Sequence, residues 1–170
     1  MNGKSCLILG VGNTLRRDDG AGPAAVQRLK ELKKSGSIDL SSCSIVDGGT
    51  DGLGLIEYLK DYERVILIDA VNMNASPGTV RLFIPEEAVI RIRTDSLSTH
   101  GFGIAELLTL SRELGIQPEI TIVGVQPEDT GYGEYLSPQI EAALVDICNR
   151  IIETISTAIP TKKLGNEYES

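Results

Sequence analysis

No stretch of this 170-residue chain reaches the roughly 18 consecutive apolar residues of a membrane span, and its opening Met-Asn-Gly-Lys-Ser-Cys runs into an apolar strand instead of a signal-peptide core. A cytoplasmic location with no membrane partner is expected. Cysteine is scarce and badly spaced for cross-linking. Cys6, Cys43 and Cys148 are odd in number and far apart in the chain, with no CxxC pair, which argues against a disulfide framework and a structural zinc site. Each is expected to pack as a small apolar residue within or beside an apolar run. A basic excess is missing too: the net charge of −8 disfavours nucleic acid, whose phosphates it would repel. No coiled-coil pattern is visible, so a monomer is the default expectation.

Several catalytic signatures are also absent. The chain has no G-x-S-x-G elbow, no complete P-loop G-x-x-x-x-G-K-[ST] and no H-E-x-x-H, and its single histidine, His100, has no serine or cysteine partner that spacing identifies. Gly10-Val11-Gly12-Asn13 invites a dinucleotide reading, but the third glycine of G-x-G-x-x-G is replaced by Leu15. The same loop delivers Arg16-Arg17-Asp18-Asp19 ahead of a helix, so carboxylates would face the phosphates.

What is present reads as one α/β domain over residues 1–158, followed by a polar tail over 159–170 that is expected to fray. A chain of this length buries about two-thirds of its unfolded surface in one core. The apolar run Cys6 to Leu9 is the first strand. Ala25, Val26, Leu29 and Leu32 then recur at helical spacing between Gly22 and Lys34. Cys43 to Asp47 is a second strand ending in Gly48-Gly49-Thr50-Asp51-Gly52, and Leu53, Ile56 and Leu59 mark a short second helix. Arg64 to Val71 is near-continuously apolar, as a strand covered on both faces should be. Thr79 to Ile84 follows the Pro77-Gly78 turn after too few residues for a helical crossover, so this fourth strand is expected to run antiparallel.

Residues 85–99 are less readable, with Pro85-Glu86-Glu87 opening a helical turn and His100 ending a polar loop. A third helix runs from Phe102 to Leu114 and closes at Gly115, and Ile120 to Val125 is the fifth strand. Ser137 caps a last helix with Pro138 at its first position. The result is a three-layer α/β/α sandwich around a mixed five-stranded sheet.

Asp19, Asp47 and Asp69 fall at or just beyond the carboxyl ends of the first three strands, where acids distant in sequence meet at one rim of a parallel sheet. His100 is within loop reach of the same rim, and two carboxylates with an imidazole suit a borderline transition metal. Plainer readings exist for each residue. Asp18 and Asp19 precede a helix and would cap it, Asp47 would open the turn at Gly48, and a histidine in a loop is commonly a surface residue. Asp69 is harder to set aside, because an unpaired carboxylate inside so apolar a run is costly unless it lies at a pocket mouth, pairs, or takes up a proton.

Read in order, several blocks resemble the [NiFe]-hydrogenase maturation endopeptidases. They are Gly10-Val11-Gly12-Asn13 with Leu15, Asp18-Asp19-Gly20-x-Gly22, Asp47-Gly48-Gly49-Thr50-x-Gly52, Ile68-Asp69-Ala70, Pro77-Gly78-Thr79, Ser98-x-His100-x-x-Gly103, Val123-Gly124-Val125-x-Pro127-Glu128 and Leu136-Ser137-Pro138. The resemblance spans about residues 6–155. It implies a phosphorylase/hydrolase-like sheet of order 2-1-3-5-4 with the fourth strand reversed. It also implies an endopeptidase that removes the C-terminal extension of a hydrogenase large-subunit precursor once nickel is inserted. Carried over residue by residue, Asp19, Asp69 and His100 are the catalytic and nickel-engaging set, and Asp47, Gly48, Gly49 and Thr50 discriminate the substrate. The nickel is expected to arrive with the substrate. A non-catalytic nickel checkpoint or chaperone for the large subunit is the alternative reading, because no self-contained hydrolytic machinery is visible.

Overall fold

The computed structural model describes residues 4–87 and 103–157. The order is strand β1 (Lys4–Val11), a 3-10 turn (Arg17–Gly20), helix α1 (Ala21–Lys34), β2 (Cys43–Gly49), α2 (Leu55–Leu59), β3 (Tyr62–Ala70) and β4 (Val80–Phe83). Helix α3 (Ile104–Glu113), β5 (Glu119–Val125) and α4 (Pro138–Thr157) complete it. The five strands form one sheet in the order β2-β1-β3-β5-β4, parallel throughout except where β4 runs antiparallel to β5. The expected three-layer architecture is therefore present. No helix among the described residues is long and apolar enough to cross a membrane.

Period-two alternation along the central strands divides the core into two layers. Ile8, Ile66, Ile68 and Val123 turn toward α1 and α4, where Val26, Leu29, Ile140 and Ile147 meet them. Leu7, Leu9, Val65, Leu67 and Ile122 turn the other way, onto Leu55, Leu59, Leu107 and Leu108 of α2 and α3. With both faces covered, β1 and β3 read as unbroken apolar runs, and each fully buried Leu or Ile contributes about 1.5–3 kcal/mol. Asp69 continues the row of Val65 and Leu67, so it stands at the carboxyl end of β3 on the α2 and α3 side.

The helix ends follow their local chemistry. Gly115, at φ +72°, closes α3, with its N–H donating to Arg112 O at 3.1 Å and the Ile116 N–H donating to Ser111 O at 2.8 Å. Pro138 is the first residue of α4, where its missing N–H costs nothing. Leu53, expected on the apolar face of α2, instead precedes that helix and is exposed, because the chain completes its turn through Asp51 and Gly54 before the helix begins at Leu55.

The connection from β3 to β4 passes over the end of β5. Its backbone is tied there by Val71 N–H to Val125 O (2.9 Å), Gly78 N–H to Gln126 O (2.9 Å) and Gln126 N–H to Thr79 O (2.9 Å). The short connection thus places β4 beyond β5, on the sheet edge, in reversed direction.

Candidate active site

The site begins with a close approach of backbones. A Cβ on Gly22 would lie 2.4 Å from Val11 O and 2.5 Å from Ile68 O, and one on Gly10 would lie 2.4 Å from Gly22 O. Only glycines let the first turn of α1 rest on β1 and β3 together. Gly22 therefore does the packing work that the missing third glycine of a dinucleotide motif would do, and it holds the preceding 3-10 turn at the rim between the ends of those strands. That turn carries Asp18 and Asp19, both buried.

Asp19 accepts a hydrogen bond at Oδ2 from the Asn13 N–H at 2.8 Å. Gly12, at φ +138°, passes so close beneath that a Cβ there would lie 1.8 Å from Asp19 O. Its N–H donates to Gly49 O at 2.9 Å, which links the opening turn to the glycine-rich loop after β2. Gly12→Ala is expected to lower the melting temperature far more than Gly36→Ala. Both glycines have positive φ, but Gly36 has nothing within 4 Å, so its variant feels only the backbone strain, about 1 kcal/mol. Equal melting shifts would remove the close contact as the reason for Gly12.

Asp69 and Asp19 come together across the gap between β3 and the 3-10 turn. Asp69 is partly exposed at the rim yet densely surrounded, and burial pushes its carboxyl well above the ordinary carboxylate range. The neighbouring Asp19 charge raises it further, while the Ala70 N–H pulls the other way. Burial and the like charge of Asp19 both disfavour the ionised form of Asp69, an arrangement that a cation would relieve. Among the described residues no third His, Cys, Asp or Glu completes a metal-holding group with them. His100 lies outside the described residues. The nearest described segment, α3, opens at Ile104 on the face of the sheet that Asp69 shares.

The loop after β2 lies on the other flank of the opening turn. Asp47 accepts from the Gly49 N–H at Oδ1 (2.9 Å), so it does open the turn at Gly48, with Gly49 at φ +51°. Asp47 and Thr50 are exposed beside it, while Gly48 and Gly49 are partly buried.

Asp18 does not cap a helix. Its side chain, 0% exposed, turns away from α1 and receives the Glu128 and Asp129 N–H groups at Oδ2 (both 2.9 Å), the Ser137 hydroxyl at Oδ2 (2.8 Å) and the Ser137 N–H at Oδ1 (2.7 Å). Burial alone would raise this carboxyl, but the four donors outweigh it and hold it below the ordinary range. The hydroxyl of Ser137, expected to cap α4, is thus engaged by Asp18. An adjacent acid pair before a helix suits capping by either member. Only the approach of the loop over residues 126–137 separates a structural clamp at Asp18 from a rim carboxylate at Asp19.

Gln126 is a second residue that motif reading passes over. Its buried side chain accepts from the Met73 N–H (2.6 Å) and Ala75 N–H (3.3 Å) and donates to Asn72 Oδ1 (3.3 Å) and Pro127 O (3.2 Å), fixing the loop that follows Asp69. The one signal in the chain is a polar residue directly after an apolar strand. Cys6 and Cys43, distant in sequence, are register partners on β1 and β2 and, like Cys148, are buried free thiols.

A family model described as hydrogenase maturation protease matches residues 23–154. The hydrogenase 2 maturation protease of Escherichia coli (strain K12) is 32% identical over 164 residues, covering 93% of this chain and 97% of that protein. The crystal structure of a hydrogenase 2 maturation peptidase from Thaumarchaeota archaeon SCGC_AB-539-E09 matches with a TM-score of 0.65 at 30% identity, over 89% of this chain and 97% of that one. The hydrogenase maturating endopeptidase HybD from E. coli matches with a TM-score of 0.78 at 29% identity, over 90% and 93% of the two chains.

Proposed function

Because this chain belongs to the hydrogenase maturation protease family, we propose that it removes the C-terminal extension from a [NiFe]-hydrogenase large-subunit precursor after nickel insertion. Asp19, Asp69 and His100 engage the nickel that the precursor carries. The observation that supports this reading is the juxtaposition of Asp19 and Asp69 at the rim, where like charge and burial raise Asp69. Two carboxylates so placed gain most from a cation, and with one imidazole they form an incomplete donor set that leaves positions open for ligands arriving with the substrate. The nickel is in this sense part of the substrate. It polarises the adjacent peptide carbonyl when bound.

The chain's own groups orient that carbonyl and move the proton. Water attacks the carbonyl carbon and gives up a proton, and the amine leaves with one. A rim carboxylate beside the bound carbonyl takes the proton from the water and returns it to the leaving amine. The exposed Asp47 and Thr50, on a loop tied to Gly12, serve to discriminate the precursor from other chains.

The test is the intact mass of a purified precursor, nickel-loaded or nickel-free, before and after incubation with this protein. Loss of a C-terminal peptide from the loaded form only is expected. An unchanged mass with retained binding would instead establish the non-catalytic checkpoint. His100→Ala is expected to fold normally and to slow processing at least about 100-fold. Processing at the wild-type rate would remove His100 from the set.

A further inference from the structure

The two most exposed large apolar side chains among the described residues, Tyr132 at 85% and Tyr135 at 82%, lie on the loop that Asp18 clamps, and Leu15 beside them is 59% exposed. Single exposed tyrosines need no explanation, but these two lie three residues apart on one clamped loop, and Tyr132 is held. The Arg16 guanidinium stacks over the Tyr132 ring at 5.4 Å from its centroid. Arg16 Nε donates to Thr130 O at 3.0 Å and Arg17 Nε to Tyr132 O at 3.3 Å. The backbones are laced as well, Gly133 N–H to Leu15 O and Arg17 N–H to Gly133 O, both 2.9 Å. Below them the buried Asp18 carboxylate takes four more backbone or hydroxyl donors from the loop side, at Glu128, Asp129 and twice at Ser137.

A loop backbone tied in this way, with the Tyr132 ring under Arg16, has already lost part of the freedom that binding would otherwise remove. Tyrosine and arginine are also the side chains that most often dominate interface energies. The plate adjoins the candidate active site, because Leu15 and Arg16 lead directly into the 3-10 turn that carries Arg17 and Asp19. The opposite flank, Asp47 to Thr50, offers polar groups, so the plate is the apolar wall of the rim.

We propose that Leu15, Arg16, Tyr132 and Tyr135 form the docking surface for the precursor polypeptide beside its cut bond. It receives apolar side chains on the rings and on Leu15, and backbone carbonyls at the tyrosine hydroxyls. This rests on the reading of the Asp19 and Asp69 rim as the place of cleavage. A second copy of this chain is the other conceivable occupant, and the net charge of −8 works against it.

The test compares the full-length protein with Tyr132→Ser/Tyr135→Ser and with Leu114→Ser/Val145→Ser, whose targets are exposed apolar residues on α3's end and on α4. Processing of nickel-loaded precursor is followed by mass. The tyrosine pair is expected to raise KM about tenfold or more, with kcat within about twofold and an unchanged melting temperature. The control pair should change none of the three. An unaltered KM in the tyrosine variant, alongside wild-type cleavage, overturns the docking surface. Failure of the wild type to cleave overturns the underlying reading instead. Sedimentation showing a wild-type dimer that the tyrosine variant loses would assign the plate to self-association and overturn the proposal.

Discussion

Asp69→Asn is expected to abolish precursor processing, by at least about 100-fold, while raising the melting temperature at neutral pH. Processing is lost because a carboxylate that engages the nickel is removed, and stability is gained because that carboxylate is poorly accommodated without it. Burial first, and the Asp19 charge second, raise the Asp69 carboxyl well above its ordinary value, against a smaller opposing pull from the Ala70 N–H. A carboxyl raised on folding holds its proton in the folded state at pH values where the unfolded chain has already released it. Stability therefore falls as pH climbs from the ordinary carboxylate value through the raised one, and the full penalty remains above it. Asparagine keeps the shape and removes the titration.

The melting curves of variant and wild type should accordingly lie furthest apart at neutral and alkaline pH and converge toward pH 4. Each kcal/mol relieved is read as about 2–4 °C in a chain of this size. A variant that melts lower than wild type at pH 7 would mean that Asp69 is stabilised in its ionised form, contrary to its surroundings. A variant that is more stable and still processes precursor would remove Asp69 from the catalytic set.

Asp18→Asn carries the largest expected loss of stability, and it distinguishes the two neighbouring acids. The carboxylate receives four donors, at Glu128, Asp129 and twice at Ser137. An amide turns N–H groups toward some of them, leaving buried donors unmatched at about 1–3 kcal/mol each. A total near 3 kcal/mol would lower the melting temperature by about 6–12 °C. Ser137→Ala removes a single donor and should cost only about 1 kcal/mol.

The pH dependence has the opposite sign to that of Asp69. Burial alone would raise the Asp18 carboxyl, but the donors win and hold it below 3.8. Its contribution is fully present above that value and is lost as pH falls through the lowered one. The gap between wild type and Asp18→Asn should therefore narrow only in strong acid. Limited proteolysis within residues 126–137 should accelerate in the variant, because these hydrogen bonds are what order that loop. A melting temperature within about 1 °C of wild type would show that the clamp contributes nothing.

The contrast between these acids shows how far reading the chain alone reaches. Asp69 was legible because a carboxylate within Arg64 to Val71 contradicts the pattern around it, and such contradictions tend to mark sites. The antiparallel β4 was legible because chain length limits what a short connection can do, and the Gly115 and Pro138 helix boundaries follow from φ restrictions within one or two residues. Asp18 was not legible, since its four donors lie more than a hundred residues away and its immediate neighbours fit capping equally well. Gln126 was missed for the same reason, as the Met73 and Ala75 N–H groups it receives belong to another strand's loop.

By itself, then, the sequence determined the elements, the central strands and the rim on which Asp19, Asp47 and Asp69 fall, because each of these depends on period, length or a local backbone restriction. Only the tertiary structure decided what the acids do. The approach of Gly22 to Val11 O and Ile68 O places the 3-10 turn between two strand ends, which brings the Asp19 charge to Asp69. The approach of the loop over residues 126–137 turns Asp18 into its anchor. Charge and hydrogen bonding act through distance in space, and folding alone makes residues fifty or a hundred positions apart into neighbours.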